Sequence, residues 1–173
     1  GLKRDLPEEA ATSRLSQDLR HGLLSIREVL QRCRSVGAEA KTTDAKRGVA
    51  TFINELIWRE FYFQVLWHWP EVLEHEFQED TRGLAWRAHW RPEDSRAWDR
   101  DPAAHVLFDA WREGRTGFPI VDAGMRELLA TGHMHNRVRM ITAMFLTKDL
   151  RIWWMHGESH FMRHLVDGEI ASN

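Results

Sequence analysis

Between Thr131 and Leu150 the chain passes from polar to apolar in a way that few helices tolerate. His133, His135, Asn136, Arg137 and Arg139 are crowded together, and the run then turns apolar through Phe145 and Leu146. At the α-helical period His133, Asn136, Arg139 and Met140 share one face, while Ile141, Met144 and Phe145 can reach a core. An amide and a guanidinium on a stripe that runs into an apolar seam need partners, because burying an unpaired amide costs about 2–7 kcal/mol. The stripe is therefore either paired inside the fold or turned toward a polar ligand. Spacing leaves both open, and internal pairing is the ordinary outcome.

The rest of the chain offers helices to pack against this one. Val49–Trp69 is the longest amphipathic segment, with Phe52, Leu56, Val65 and Leu66 on its buried side and Pro70 ending or bending it. Ser25-Ile26-Arg27-Glu28 has the pattern of a capping box ahead of Val29 and Leu30. Residues 37–46 read as a polar link, and 71–101 as charged and irregular with Trp86, Trp90 and Trp98 spaced through them. Asp101-Pro102 starts a helix through Trp111, Gly114–Pro119 is a loop, and helices follow over 120–130, 133–150 and 157–167. Alternating β-branched segments and internal repeats are absent. The expected fold is all-α, an irregular or orthogonal multi-helix bundle in one domain.

Composition narrows the function. The formal net charge is −2, which gives no global nucleic-acid footprint, although the clustered arginines leave room for a local basic groove. One cysteine, Cys33, excludes an internal disulfide framework and fits a reducing compartment. No apolar run approaches the ~18 residues of a membrane span. The start carries no apolar signal region, and Ala171-Ser172-Asn173 reads as a cut rather than a natural terminus. Nine tryptophans against one tyrosine point to a very aromatic core or to surfaces for flat ligands.

Several constellations carry chemistry. Glu55, Trp58, Arg59 and Tyr62 fall at i, i+3, i+4 and i+7, so one stripe presents a carboxylate, an indole, a guanidinium and a phenol. That set could grip a base, the indole stacking and the carboxylate accepting from ring N–H groups. It could equally be a helix with an i, i+4 Glu55–Arg59 pair worth ~0.3–0.5 kcal/mol. Thr12, Ser13 and Ser16 around Arg14 could cradle a phosphate or merely cap a helix. His160 and His164 stand at i, i+4 near Glu158, but no third ligand sits at a recognised spacing, so no metal is expected. Trp98 and Trp154, taken singly, are packing aromatics. No Gly-rich phosphate loop, paired-cysteine motif or nucleophile elbow occurs, so nothing suggests hydrolysis.

Taken in order, the motifs resemble the flavin-binding helical domain of DNA photolyases and cryptochromes. The resemblance rests on Thr12-Ser13-Arg14-Leu15-Ser16, on Glu55-Leu56-Ile57-Trp58-Arg59-Glu60-Phe61-Tyr62 and on residues 114–126, from Gly114-Arg115-Thr116-Gly117 to Ala123-Gly124-Met125-Arg126. It continues through Met134-His135-Asn136-Arg137-Val138-Arg139-Met140 and Phe161–Glu169. It implies an all-α domain of that type, spanning residues 1–173 as a partial FAD- and lesion-binding domain without the N-terminal antenna domain or the C-terminal remainder. FAD, active in its reduced form, is the implied cofactor; the antenna chromophore is left open. Thr12, Ser13, Arg14, Leu15 and Ser16 would bind the FAD diphosphate region. Phe52, Glu55, Arg59, His133, Asn136, Arg139, Met140, Asp167, Gly168, Glu169 and Asn173 would complete the FAD set, with Arg139 and Asp167 as the salt bridge beside the flavin. Arg4, Glu55, Trp58, Arg59, Tyr62, Asn136 and Arg137 match positions that contact DNA or the flipped pyrimidine dimer. Trp98 and Trp154 match the outer and middle members of an electron-relay tryptophan chain.

The family usually has Trp at the place of His133 and Asp at the place of Glu169. His133 gives up an indole there, and Glu169 keeps the charge on a longer arm. The implied activity is light-driven repair of cyclobutane pyrimidine dimers by a monomeric, cytoplasmic, bacterial-type enzyme that joins the nucleoid when bound to UV-damaged DNA. A cryptochrome-like receptor without repair is the alternative, and a cofactor-free helical interaction module is a third. The Glu55, Trp58 and Asn136 set favours repair, since a receptor has no need to grip a dimer. A (6-4) photolyase would resemble His rather than Asn-Arg in the central motif.

Overall fold

A computed structural model describes residues 5–7, 12–92 and 97–172. Arg4 and Asn173 lie outside the described residues. Seven α-helices are found among the described residues: α1 Ser16–Arg20, α2 Ile26–Glu39, α3 Thr43–His68, α4 Pro102–Arg112, α5 Pro119–Thr131, α6 Asn136–Met144 and α7 Trp154–His164. Extended pairing among them is limited to one isolated parallel bridge between Arg87 and Ile152. The all-α expectation holds. The described residues group into two compact units, residues 1–82 with 169–172, and residues 83–168.

The first unit is built on the α2–α3 hairpin. Ser25 Oγ accepts the Glu28 N–H at 3.1 Å and starts α2 as the capping pattern predicts. The link to α3 is far shorter than 37–46, because α2 runs through Glu39 and Thr42 already caps α3, its Oγ1 accepting the Ala45 N–H at 3.2 Å. Lys46 and Gly48 therefore lie inside a helix. Without an apolar stripe they carried no sequence signal for one. The α3 helix ends at His68, where Pro70 opens a 3-10 turn. Only Val29 and Leu56 are buried here among the described apolar residues.

The second unit has a real core. Trp111 of α4 is fully buried with Met125 and Leu128 of α5, Val138 of α6, Leu146, Ile152 and Phe161 of α7 around it. Asp101 Oδ1 accepts the Ala104 N–H at 2.9 Å and starts α4, and the Arg87 guanidinium reaches both its carboxylate oxygens at 3.3 Å. That guanidinium and the helix N–H groups hold the Asp101 carboxyl below its ordinary value. The segment read as one helix over 133–150 is divided. Gly132, at φ +70°, closes α5, His135 caps α6, and Phe145–Asp149 forms a π turn. His133 thus stands before the helix and off its stripe. Past Met144 the hydrogen bonds lengthen in register: Leu150 N–H donates to Phe145 C=O and Ile152 N–H to Leu146 C=O, both at 3.1 Å. Trp111 Nε1–H donates to Thr142 C=O at 3.0 Å, satisfying the buried indole. The last helix begins at Trp154, ahead of the expected residue 157.

Helices α5 and α6 approach so closely that a Cβ on Gly124 would meet Val138 Cγ1 at 2.3 Å. Val138 is β-branched and nearly buried, so it cannot swing aside cheaply. Gly124→Ala is therefore expected to destabilise the fold by about 1–3 kcal/mol through overpacking, read as a shift of the urea midpoint at constant slope.

His160 is buried beside Trp111, and its ring lies 4.2 Å from that of His164 at a 36° tilt. Burial, reinforced by the charges of His164, Arg112 and Arg163, pushes its pKa down to about 4 from 6.5. The unfolded chain then binds the extra proton first, so stability falls as pH drops from 6.5 toward about 4. His160→Phe is expected to flatten that part of a melting-temperature–pH curve; an unchanged slope would remove His160 as its source.

Candidate functional site

In the first unit, α3 displays the predicted stripe. Trp58, Phe61 and Tyr62 are 54%, 49% and 43% exposed, respectively. Phe61 meets both neighbours edge-on at 5.5 Å, and Trp58 lies 6.1 Å from Tyr62 at a 30° tilt. Three rings held against one another in water form a rigid apolar platform with open faces. Phe61 was absent from the expected set, since it falls one residue off the i, i+3, i+4, i+7 series. Glu55 is exposed one turn before Trp58.

Arg59 does not simply close an i, i+4 pair with Glu55. Its guanidinium reaches Glu169 Oε2 at 3.4 Å and Glu60 Oε1 at 3.5 Å, and lies 4.6 Å over the Phe63 ring. Arg20 approaches the same Glu169 oxygen at 3.9 Å, so Glu169 joins two cations from α1 and α3. The longer arm of Glu169 is thus used for an ion-pair cluster. Arg20 was missed because nothing in local spacing links it to residue 169.

Before α1, the chain makes a sharp turn: Arg14 has φ +54°, and Ser13 Oγ accepts the Leu15 N–H at 3.4 Å. Thr12, Ser13, Arg14 and Ser16 are exposed. Leu15, Leu24, Val29, Val36, Val49 and Phe52 line a groove of about 770 Å³, together with polar residues of α2 such as Glu28 and Arg32. Two residues assigned to FAD by resemblance, Leu15 and Phe52, therefore line one groove.

In the second unit, the α6 stripe resolves into both alternatives. Arg139 is paired internally: Nε–H donates to Met134 C=O at 2.7 Å and Nη2 to both Asp167 oxygens at 2.9 Å. Asp167 is buried, with its side chain 4% exposed. Asn136 and Met140, on the same face, are exposed, and Arg137 lays Nη1 3.5 Å from Met140 Sδ. His135 Nδ1 accepts the Arg137 N–H at 3.2 Å and sets the helix start. His133 turns to Glu127, with Nδ1–Oε1 at 3.5 Å. Gly168 follows Asp167 and its N–H donates to Leu165 C=O at 3.3 Å.

The loop before α5 is held by Asp122. Its carboxylate accepts Thr116 N–H and Oγ1–H at 2.8 and 2.6 Å and Gly117 N–H at 2.9 Å. Burial alone would raise its pKa, but these hydrogen bonds and the Arg126 charge outweigh it and leave the carboxyl below its ordinary value. This motif is structural.

Trp98 and Trp154 sit in an aromatic cluster of the second unit. Trp98 stacks on His105 and Phe108, both at 4.9 Å, and meets His156 at 4.7 Å. Trp154 meets Trp153 at 6.0 Å. Trp153 and His156 were not among the expected residues; their signal was only their place beside Trp154. Among the described residues no group of three His, Cys, Asp or Glu could hold a metal, and no helix is long and apolar enough to cross a membrane.

Each unit keeps side chains open to solvent: Trp58, Phe61 and Tyr62 in the first, Asn136 and Met140 in the second. Residues 52–173 match the family described as the FAD binding domain of DNA photolyase, and the chain belongs to that family, whose cofactor is FAD. Deoxyribodipyrimidine photo-lyases of Halobacterium salinarum and Escherichia coli are each 44% identical over 171 residues, covering 99% of this chain and 32% and 33% of those proteins. Among solved structures, a class III photolyase from Agrobacterium tumefaciens superposes with a TM-score of 0.84 at 37% identity over 99% of this chain and 32% of that one. A Synechocystis cryptochrome gives 0.77 at 34% identity over 93% of this chain and 30% of that one. The chain spans about a third of the length of the curated relatives it matches.

Arg139→Leu would strip the cation from a buried carboxylate. It is expected to cost about 3–5 kcal/mol of stability by chemical denaturation, against under about 1.5 kcal/mol for Met140→Leu on the same face.

Proposed function

We propose that this chain is the FAD- and lesion-binding part of a deoxyribodipyrimidine photo-lyase-type enzyme that repairs cyclobutane pyrimidine dimers in DNA with light. The observation that carries the reading is the exposed Trp58–Phe61–Tyr62 platform beside Glu55. Three large rings held open to water are costly unless they cover something flat. An extruded pyrimidine pair has that shape, and its ring N–H edge suits the Glu55 carboxylate.

The residues present fit FAD. The turn at Thr12–Ser16 offers hydroxyls, backbone N–H groups and the Arg14 cation for a diphosphate. In the first unit Leu15 and Phe52 supply apolar wall; in the second, taken by itself, the Arg139–Asp167 pair presents a fixed dipole with Asn136 and Met140 open beside it. Bound and reduced, FAD supplies the single electron that splits the cyclobutane ring. The first unit's part is to stack the lesion on Trp58 and Tyr62 and accept its N–H at Glu55; by resemblance the Asn136 amide of the second unit also contacts the dimer. Arg137, with Arg4 and Arg59, would meet backbone phosphates, and Asn173 would complete the flavin pocket. In this reading the parent carries an antenna domain N-terminal to this chain, acts as a monomer, and works in the cytoplasm on the nucleoid. The likeness to the Synechocystis cryptochrome favours a second reading, a flavin photoreceptor without repair.

The test uses the full-length parent: absorbance as purified, then repair of UV-damaged DNA in blue light and in darkness. A flavin spectrum with light-dependent repair supports the first reading; flavin without repair supports the receptor; a colourless protein overturns both. Trp58→Ala should weaken lesion binding by about 1–3 kcal/mol with the flavin spectrum unchanged. Arg137→Ala should reduce the slope of log affinity against log salt by about 1.

A further inference from the structure

The electron-relay assignment of Trp98 and Trp154, which belongs to the function proposed above, leaves a question of path. The ring neighbours of Trp98 include Trp90, His105, Phe108 and His156, while Trp154 meets Trp153. We propose that Trp153 is a further relay residue and His156 a positioning residue, so that charge passes from Trp154 through Trp153, across the His156 ring, to Trp98.

The spacing is continuous. Trp154 to Trp153 is 6.0 Å, Trp153 to His156 is 6.5 Å and His156 to Trp98 is 4.7 Å between ring centroids. Trp153 and His156 are buried, at 6% and 3% exposure. Trp98 is half-buried, with the exposed Asp99 next in sequence. A positive charge is better solvated there than on a buried indole, which gives the path a direction, outward.

The local backbone is built to hold these rings. The isolated bridge clamps residue 87 to residues 151–153: Arg87 N–H donates to Arg151 C=O at 2.7 Å and Trp153 N–H to Arg87 C=O at 3.2 Å. His156 Nε2 lies 2.9 Å from Ala88 C=O, which fixes the imidazole plane and places the proton on Nε2. Both flanks of the bridge are strained, with Ala88 at φ +52° and Arg151 at φ +55°, neither of them glycine. Ala88 is also buried, at 2% exposure. Strain of this kind persists where the surroundings over-determine it, and here it aims the 88–90 and 151–154 segments at one another.

The step balances simply. One electron would leave Trp98 and pass by successive transfers through Trp153 and Trp154 toward the inner member of the relay, with the excited oxidised flavin of the parent as the final acceptor. Trp98 is left as the indole cation radical and loses its N–H proton to water. A thiol in solution then gives a hydrogen atom and restores the indole. His156 is harder to oxidise than indole, so it bridges the two tryptophans without itself holding the charge.

The experiment is flash photolysis of the full-length, flavin-loaded parent, following the long-lived tryptophan radical and, under steady light with thiol, flavin photoreduction. Trp153→Phe keeps the packing but removes an oxidisable ring; His156→Leu removes the bridge. Both are expected to lose the long-lived radical while the flavin absorbance stays intact, and Trp153→Tyr should restore part of it. An unchanged radical yield and lifetime in Trp153→Phe overturns the proposal. If His156→Leu fails to fold, Trp153→Phe and Trp153→Tyr decide it alone. Should Trp98→Phe and Trp154→Phe also leave the signal unchanged, the relay assignment itself fails, which is a different outcome.

Discussion

The Arg139 guanidinium is the contact on which the arrangement of the second unit's exposed α6 face depends. One side chain closes three hydrogen bonds, to Met134 C=O and to both oxygens of the buried Asp167. In doing so it ties the segment before α6 and the segment after α7 to the same helix face. A second tie runs parallel, from Val166 N–H to Gly132 C=O at 2.9 Å. Asn136 and Met140 are left outward because Arg139, between them on the face, has been drawn in. A carboxylate this buried tolerates its charge only with a cation and a fixed geometry beside it, so the pair specifies the local arrangement more than it stabilises the fold.

The two units spend their apolar residues differently. The second buries its aromatics: Trp111 is fully enclosed and its indole N–H is satisfied by Thr142 C=O. The first leaves Trp58, Phe61, Tyr62 and Trp67 exposed and has Val29 and Leu56 as its buried apolar residues among those described. Its helices rest instead on side-chain caps at Ser25 and Thr42 and on the ion-pair cluster around Glu169. Rings kept out of a core that could use them are the kind of local inconsistency that marks a working surface.

Much of this was legible in one dimension. The start signals at Ser25 and Asp101, the Pro70 stop, the loop at Gly114–Pro119 and the all-α class follow from local chemistry, and the structure keeps them. The motif order carried the family before any coordinates did. Several boundaries moved for reasons that local sequence does not contain, three of them as follows. Helix α3 begins at Thr43 because a polar first two turns is no obstacle when a threonine cap and a packed hairpin support it. Helix α6 starts only at Asn136 because Gly132 must turn the chain toward Val166. The π turn at Phe145–Asp149 arises from where Leu146 C=O finds its partner, six residues on, in Ile152.

What the sequence determined by itself is chemistry at short range: caps, stops, periodicity, and which side chains share a turn. It placed Asn136, Arg139 and Met140 on one stripe and Glu55, Trp58 and Tyr62 on another, because helical spacing is a property of the backbone alone. Which member of a stripe is drawn inward was decided only in three dimensions. Arg139 is buried because Asp167 lies 28 residues away in sequence and 2.9 Å away in space; Arg59 turns to Glu169 for the same reason at a separation of 110. The meeting of Trp98, His156 and Trp153 is likewise set by the clamp between residue 87 and residues 151–153. Charge pairing and ring contact depend on distance through space, and only the packed chain sets that distance.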